Sequence, residues 1–228
     1  MTLPTITTPT FDLTLLTTGE KFRFRPFLVK EEKILVMAAE SAEQEEMIRA
    51  MATIVTNCSD GKVDGDTLPF FELQNLFIKL RSKSIGEQTD FNLICGSCEH
   101  KIPYILDLTS IEPVEFDGHS STIMLTDEIG VKMRYPTAME MQDKTTDTYD
   151  VILNCINTIF TADENTDATK EARAELVNFV DNLTIEQFEK IANFFVTMPK
   201  IEKRIDYKCP KCEEDNFILI DGVESFFE

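Results

Sequence analysis

Apolar residues recur along this chain with two alternating periods. Over residues 11–16 and 22–27 they fall on strand-like spacing, and Thr17-Thr18-Gly19-Glu20 between them carries the glycine of a hairpin turn. Pro26 ends the second strand, because it cannot donate to a ladder. From residue 30 the period lengthens. Ile34, Leu35, Met37 and Ala38 predict a helix over 30–40. Met47, Ile48, Met51, Ile54 and Val55 predict another over 41–57, with Ser41 and Gln44 spaced as a capping box. Pro69 opens a third helix bearing Leu73, Leu76, Phe77 and Leu80, which stops at Gly86. Strand patterns over 90–94 and 102–106 follow.

The order then returns. Residues 122–125 and 131–135 flank the turn Glu128-Ile129-Gly130, and Pro136 follows as Pro26 did. Helices are expected over 138–143, over 149–160 with Ile152, Leu153, Ile156 and Phe160 inward, and over 170–180. An acidic loop over 161–169 lies between the last two. Thr184 and Gln187 are spaced to cap a further helix with Phe188, Ile191, Ala192 and Phe195 inward. Strands over 204–208 and 217–220 complete the pattern. Leu73, Leu76 and Leu80 match Phe188, Ile191 and Phe195 in type and spacing. The expected fold is α+β, an internal duplication of a β-hairpin plus helices plus a terminal hairpin, with convergence on a common plan as the alternative. The implied organisation is an extended arm at 1–10, a first half at 11–110 and a second half at 121–228.

Each half ends in a Cys-x-x-Cys knuckle between its last two strands, Cys95-Gly-Ser-Cys98 and Cys209-Pro-Lys-Cys212. One knuckle supplies two thiolates, and a structural zinc site needs four ligands. Cys95, Cys98, Cys209 and Cys212 therefore predict one shared structural Zn2+ joining the halves, a long-loop staple contributing on the order of several kcal/mol. Two other readings remain open: separate sites, with His100 close to the first knuckle, and plain turns without metal. A thioredoxin-like pair is disfavoured, because neither knuckle opens a helix after a strand. Cys58 and Cys155 lie at apolar helix positions and read as core thiols.

Composition narrows the function. Of 228 residues 43% are apolar, which suffices for a real core, and 41 acids against 22 bases give a net charge of -19. That balance argues against nucleic acid or anionic lipid as partner. No apolar run approaches the roughly 20 residues of a membrane span, and the first ten residues lack a secretory signal pattern, so a reducing cytoplasm is expected. No phosphate-binding Gly-rich loop, Gly-x-Ser-x-Gly or His-Glu-x-x-His motif occurs, and an enzyme is not expected. Of the two histidines, His119 reads as a solvated turn residue.

Two stretches carry a family resemblance. They are Phe22-Arg23-Phe24-Arg25-Pro26-Phe27-Leu28-Val29-Lys30-Glu31-Glu32-Lys33, and Leu76-Phe77-Ile78-Lys79-Leu80-Arg81-Ser82-Lys83-Ser84-Ile85-Gly86-Glu87 followed by the first knuckle. Together they resemble the baseplate hub subunit and hub-assembly family of T-even-type contractile-tailed phages. The resemblance implies a component or assembly factor of the central hub, working in the host cytoplasm during assembly and in the virion tail baseplate if incorporated. Its partners would be other phage baseplate and tail hub proteins, within a multimer. Residues 2–10 and 223–228 are the candidate partner-facing segments; for Phe226 and Phe227 packing on the chain's own core is the favoured alternative. Arg23, Arg25, Lys79, Arg81 and Lys83 are expected to pair with neighbouring acids. The alternative is an acidic zinc-ribbon-type adaptor in transcription or replication.

Overall fold

The computed structural model describes residues 7–41, 43–142 and 147–221. Most of the expected arm, the segment 223–228 and the end of the helix expected over 138–143 lie outside the described residues. The chain opens with strands β1 (Phe11–Thr14) and β2 (Lys21–Phe24), then helices α1 (Val29–Ser41), α2 (Gln44–Cys58) and α3 (Phe70–Ser84). Strands β3 (Gln88–Ile94), β4 (Lys101–Asp107) and β5 (Pro113–Val114) follow. Next come β6 (Thr122–Met124), β7 (Gly130–Met133), α4 (Ala138–Gln142), α5 (Thr148–Cys155), β8 (Ile156–Phe160) and β9 (Asn165–Asp167). Helices α6 (Arg173–Asp181) and α7 (Ile185–Thr197) precede strands β10 (Lys200–Lys208) and β11 (Asp215–Asp221). The described strands form the antiparallel pairs β1-β2 and β3-β4 and the sheets β11-β10-β5 and β6-β7-β8-β9.

The chain divides into two compact units, residues 1–114 with 200–228, and residues 115–199. This differs from the expected division at 121. The last hairpin, β10-β11, belongs with the first unit, because Lys200 and Ile201 pair with Val114 and Pro113 and because Ile201, Ile205 and Ile220 are buried.

In the first unit Phe24, Ile48, Met51, Ile54, Leu73, Leu76, Phe77 and Leu80 are fully buried. Helix α3 is enclosed on more sides than its apolar stripe predicts, with Glu72, Gln74 and Asn75 buried as well. The Glu72 carboxylate accepts hydrogen bonds from the Leu16 N–H and the Thr17 hydroxyl, so the helix pins the β1-β2 turn. A carboxylate is tolerated at this depth because those donors replace water. Gly19 in that turn has φ +72°, which a side-chain-bearing residue adopts only at a cost.

At the end of β2 the Arg25 guanidinium forms a two-bonded fork with Glu31, at 2.9 and 3.2 Å, and donates to the carbonyls of Pro26 and Asn57. Glu31 also accepts the Leu28 N–H, and the Arg25 N–H donates to the Cys58 carbonyl. Burial works to raise the Glu31 carboxyl pKa, but the Arg25 fork and the Leu28 N–H hold it below the usual value. Arg23 pairs with Asp12 and Lys83 with Glu87, as expected of basic residues in an acidic chain.

In the second unit Leu125, Val131, Met133, Ile152, Leu153, Ile156, Val180, Ile191 and Phe194 form one cluster. The helix expected over 149–160 stops at Cys155, and Ile156–Phe160 is strand β8 between β7 and β9. Its β-branched residues fit a pleated sheet better than a helix interior. Gly130 lies opposite Phe160, and a Cβ there would come within 2.3 Å of the ring. The acidic segment holds β9 and a 3-10 turn, Ala168–Lys170, capped by Asp167.

The capping box at Thr184 and Gln187 forms reciprocally. The one expected at Ser41 does not: α1 continues through Ser41, whose hydroxyl donates to the Ala38 carbonyl, and α2 begins after Glu43 without a side-chain cap. Nor is His119 a solvated turn residue. Its Nδ1 is 2.9 Å from Thr197 Oγ1, its Nε2 is 3.0 Å from the Tyr135 hydroxyl, and its ring lies against Tyr135 and Phe194. Thr197 gives its own proton to the Asn193 carbonyl at 2.9 Å. Nδ1–H therefore donates to Thr197, and Nε2 accepts from Tyr135.

Candidate metal centre

The two knuckle hairpins share one local geometry. In the first, the Cys95 N–H donates to the His100 carbonyl and the Glu99 N–H to the Cys95 carbonyl, at 3.0 and 2.9 Å. In the second, Cys209 N–H donates to Glu214 and Glu213 N–H to Cys209, at 2.9 and 3.0 Å. Glu99 and Glu213 both take a left-handed conformation, with φ 55° and 59°. That reversal, one residue past each second cysteine, brings the chain back to bond with the first.

All four predicted ligand residues come together. The sulfurs of Cys95, Cys98, Cys209 and Cys212 lie within 4.8 Å of one another, and they form the one cluster of metal-ligating side chains among the described residues. Cys95 Sγ is 3.5 Å from Cys212 Sγ, and Cys98 Sγ is 3.6 Å from Cys209 Sγ. A tetrahedron of sulfurs about 2.3 Å from a central zinc has edges of about 3.8 Å. The cage is thus close to the size that a four-thiolate ion needs. Both knuckles belong to the first unit, so the cluster lies inside that unit, although two of its sulfurs come from each of the expected halves. His100 contributes its backbone carbonyl to the first knuckle and is not among the clustered ligands.

The electrostatics suit a cation. Backbone N–H groups of Cys98 and Ser97 pull the Cys95 thiol down to about 6. For Cys209, burial works in the opposite direction, but the N–H groups of Cys212 and Lys211 and the neighbouring thiols prevail and lower it. Cys212 is pushed up to about 12: the Glu214 N–H opposes the shift, and the sulfurs of Cys98, Cys95 and Cys209 hold its proton. Binding of a divalent ion requires thiolates and would release the protons that the thiols carry. Cys58 and Cys155 are different. Burial pushes their thiols up to about 11 and about 12, which fits the expected inert core role.

Three features escaped the sequence reading. Asn216 and Tyr207 of the second hairpin reach the backbone around Cys95. The other is the repetition of the Arg25 fork. Arg134 forms a two-bonded fork with Glu140 at 2.6 and 2.8 Å and donates to the Tyr135 carbonyl. Glu140 accepts the Thr137 N–H, and the Arg134 N–H donates to the Cys155 carbonyl. The signal was present as Arg and Glu six residues apart after each first hairpin, with Asn57-Cys58 and Asn154-Cys155 downstream.

A family model described as T4 bacteriophage base plate protein matches residues 8–228. No curated protein and no solved structure matches the chain.

Proposed function

The chain belongs to the T4 bacteriophage base plate protein family, and on that premise we propose that it is a component or assembly factor of the baseplate's central hub. It acts through protein–protein contacts with other tail proteins during tail morphogenesis, in the host cytoplasm and then in the virion if incorporated. The observation that carries this reading is the family match over nearly the whole chain, with both cysteine knuckles inside it. The reading assigns no catalysis, and the family match favours it over the transcription or replication adaptor, which the cysteine cluster alone would also fit.

The cluster is assigned as a structural zinc site. The donor set is all sulfur, and four protein ligands leave no open coordination position for chemistry. Its role is to fix the last hairpin on the first unit and so hold a defined surface for partners. The two halves are assigned to one duplicated ancestor. The matched forks, the matched Asn-Cys pairs and the matched knuckle turns support that reading, because convergence on an α+β plan does not require the same side-chain bonds at the same offsets.

The test is reconstitution. Purified chain is combined with the remaining tail proteins, and assembled baseplates are isolated by sedimentation. Baseplates that form only with the chain and retain it support a component; those that need the chain but lack it support an assembly factor. Normal baseplates in its absence would remove both.

A further inference from the structure

Besides the clustered sulfurs, the second hairpin reaches across to the first with one cross-strand pair. Tyr207 on β10 lies opposite Asn216 on β11. The Tyr207 hydroxyl donates to the Ile94 carbonyl at 2.7 Å. The Asn216 Oδ1 accepts the Gly96 N–H at 3.0 Å. These two bonds grip the residues on either side of Cys95. The Asn216 Nδ2 also approaches Cys95 Sγ itself, at 3.6 Å, and is steadied by the Glu214 carbonyl at 2.9 Å.

The fold of a knuckle hairpin does not require this pair. At the same register of the first hairpin stand Leu93 and Ile102, both apolar, so the grip runs one way only. A polar pair found in one hairpin and not its counterpart points to a task beyond forming the hairpin.

We propose that Asn216, with Tyr207 opposite it, is a positioning residue that sets Cys95 in place for a metal shared by the two knuckles and polarises its sulfur. The inference rests on the four-cysteine metal reading. An N–H donor drains charge from a thiolate and orients its lone pairs; the orienting effect is the one that outer partners also have on metal-bound histidines and carboxylates. The two bonds that bracket Cys95 also hold the hairpins in register before metal arrives, so less ordering accompanies binding.

Cobalt(II) is the probe, because its absorption reports both the number of sulfurs and their donor strength. Wild-type chain and the variants Asn216→Ala, Asn216→Asp and Tyr207→Phe are titrated with Co2+, and zinc affinity is read by competition. The wild type should give the intense bands of a four-thiolate tetrahedral site. Asn216→Ala should bind about 10–100-fold more weakly, with its sulfur-to-cobalt charge-transfer band moved to lower energy. Asn216→Asp can still accept from Gly96 but sets a carboxylate against the sulfur, and its loss should be at least as large. Tyr207→Phe, which changes no shape in the core, should weaken binding by a smaller factor and leave the band in place. A wild-type spectrum of four thiolates, with affinities within twofold and unmoved bands in every variant, would overturn the positioning role alone. Failure of the wild type to give that spectrum would overturn the metal reading and this inference with it. A variant that does not fold is decided by Tyr207→Phe, where unchanged affinity is the contradicting result.

Discussion

The Arg25–Glu31 and Arg134–Glu140 forks have the same bonds but different surroundings. In the first unit Glu31 is 0% exposed and Arg25 11%; in the second Glu140 is 26% and Arg134 36%. Arg25 also reaches the Asn57 carbonyl, whereas the second fork borders a cavity of about 380 Å³ lined in part by Asn154, Glu171 and Arg173. One six-residue pattern thus yields a sealed ion pair in one place and a wetted one in another. Local sequence specifies the bonds, and the segments that later pack over them decide what they are worth. Breaking one side of a sealed pair strands a charge away from water, while breaking the open pair lets solvent take its place.

The largest effect should come from the metal, and it should separate the two units. Chelation removes binding free energy that reaches about 10 kcal/mol or more in small structural zinc sites. Hydrogen exchange should then accelerate together at both knuckle hairpins, although 110 residues lie between Cys98 and Cys209. Amides of residues 115–199 should keep their protection. Spread of the acceleration into that unit would break the distinction.

The forks come next. Glu31→Ala should destabilise by about 3–5 kcal/mol, because it leaves the Arg25 guanidinium buried and uncompensated. Glu140→Ala should cost only about 1–2 kcal/mol, since water can reach Arg134. Urea denaturation of both variants measures the difference. Equal losses would show that exposure does not distinguish the two pairs.

His119 has the smallest expected effect and belongs to the second unit alone. Burial lowers its pKa, with Glu115 opposing. The unfolded histidine therefore takes up its proton at higher pH than the folded one. The stability that neutral His119 contributes is complete above about 6.5 and is lost as pH falls through the folded value. Thermal unfolding between pH 5 and 7 should show that slope, and His119→Phe should remove it from the second unit's transition. A slope unchanged in the variant would contradict the assignment.

Much of this was legible in the chain. Residues 11–24 and 70–84 folded as their periods predict, because an unbroken apolar stripe between Gly or Pro signals leaves one solution. The knuckles were legible because two thiolates at that spacing have few uses. Strand β8 was not, since Ile152, Ile156 and Phe160 suit a helix as well as a sheet until β7 and β9 supply ladder partners. The assignment of β10-β11 to the first unit was likewise hidden, because pairing between residues 113–114 and 200–201 leaves no local trace. Burial of His119 was hidden for the same reason: Tyr135, Phe194 and Thr197 reach it from distant parts of the chain.

One metal ion is expected to join the two knuckles. Metal content per chain, measured by mass spectrometry on the purified protein and on Cys95→Ser and Cys209→Ser, tests it most directly. One zinc per chain, lost from either variant alike, is the predicted result. No zinc in the wild type, or half of the metal retained when one knuckle is broken, would contradict it.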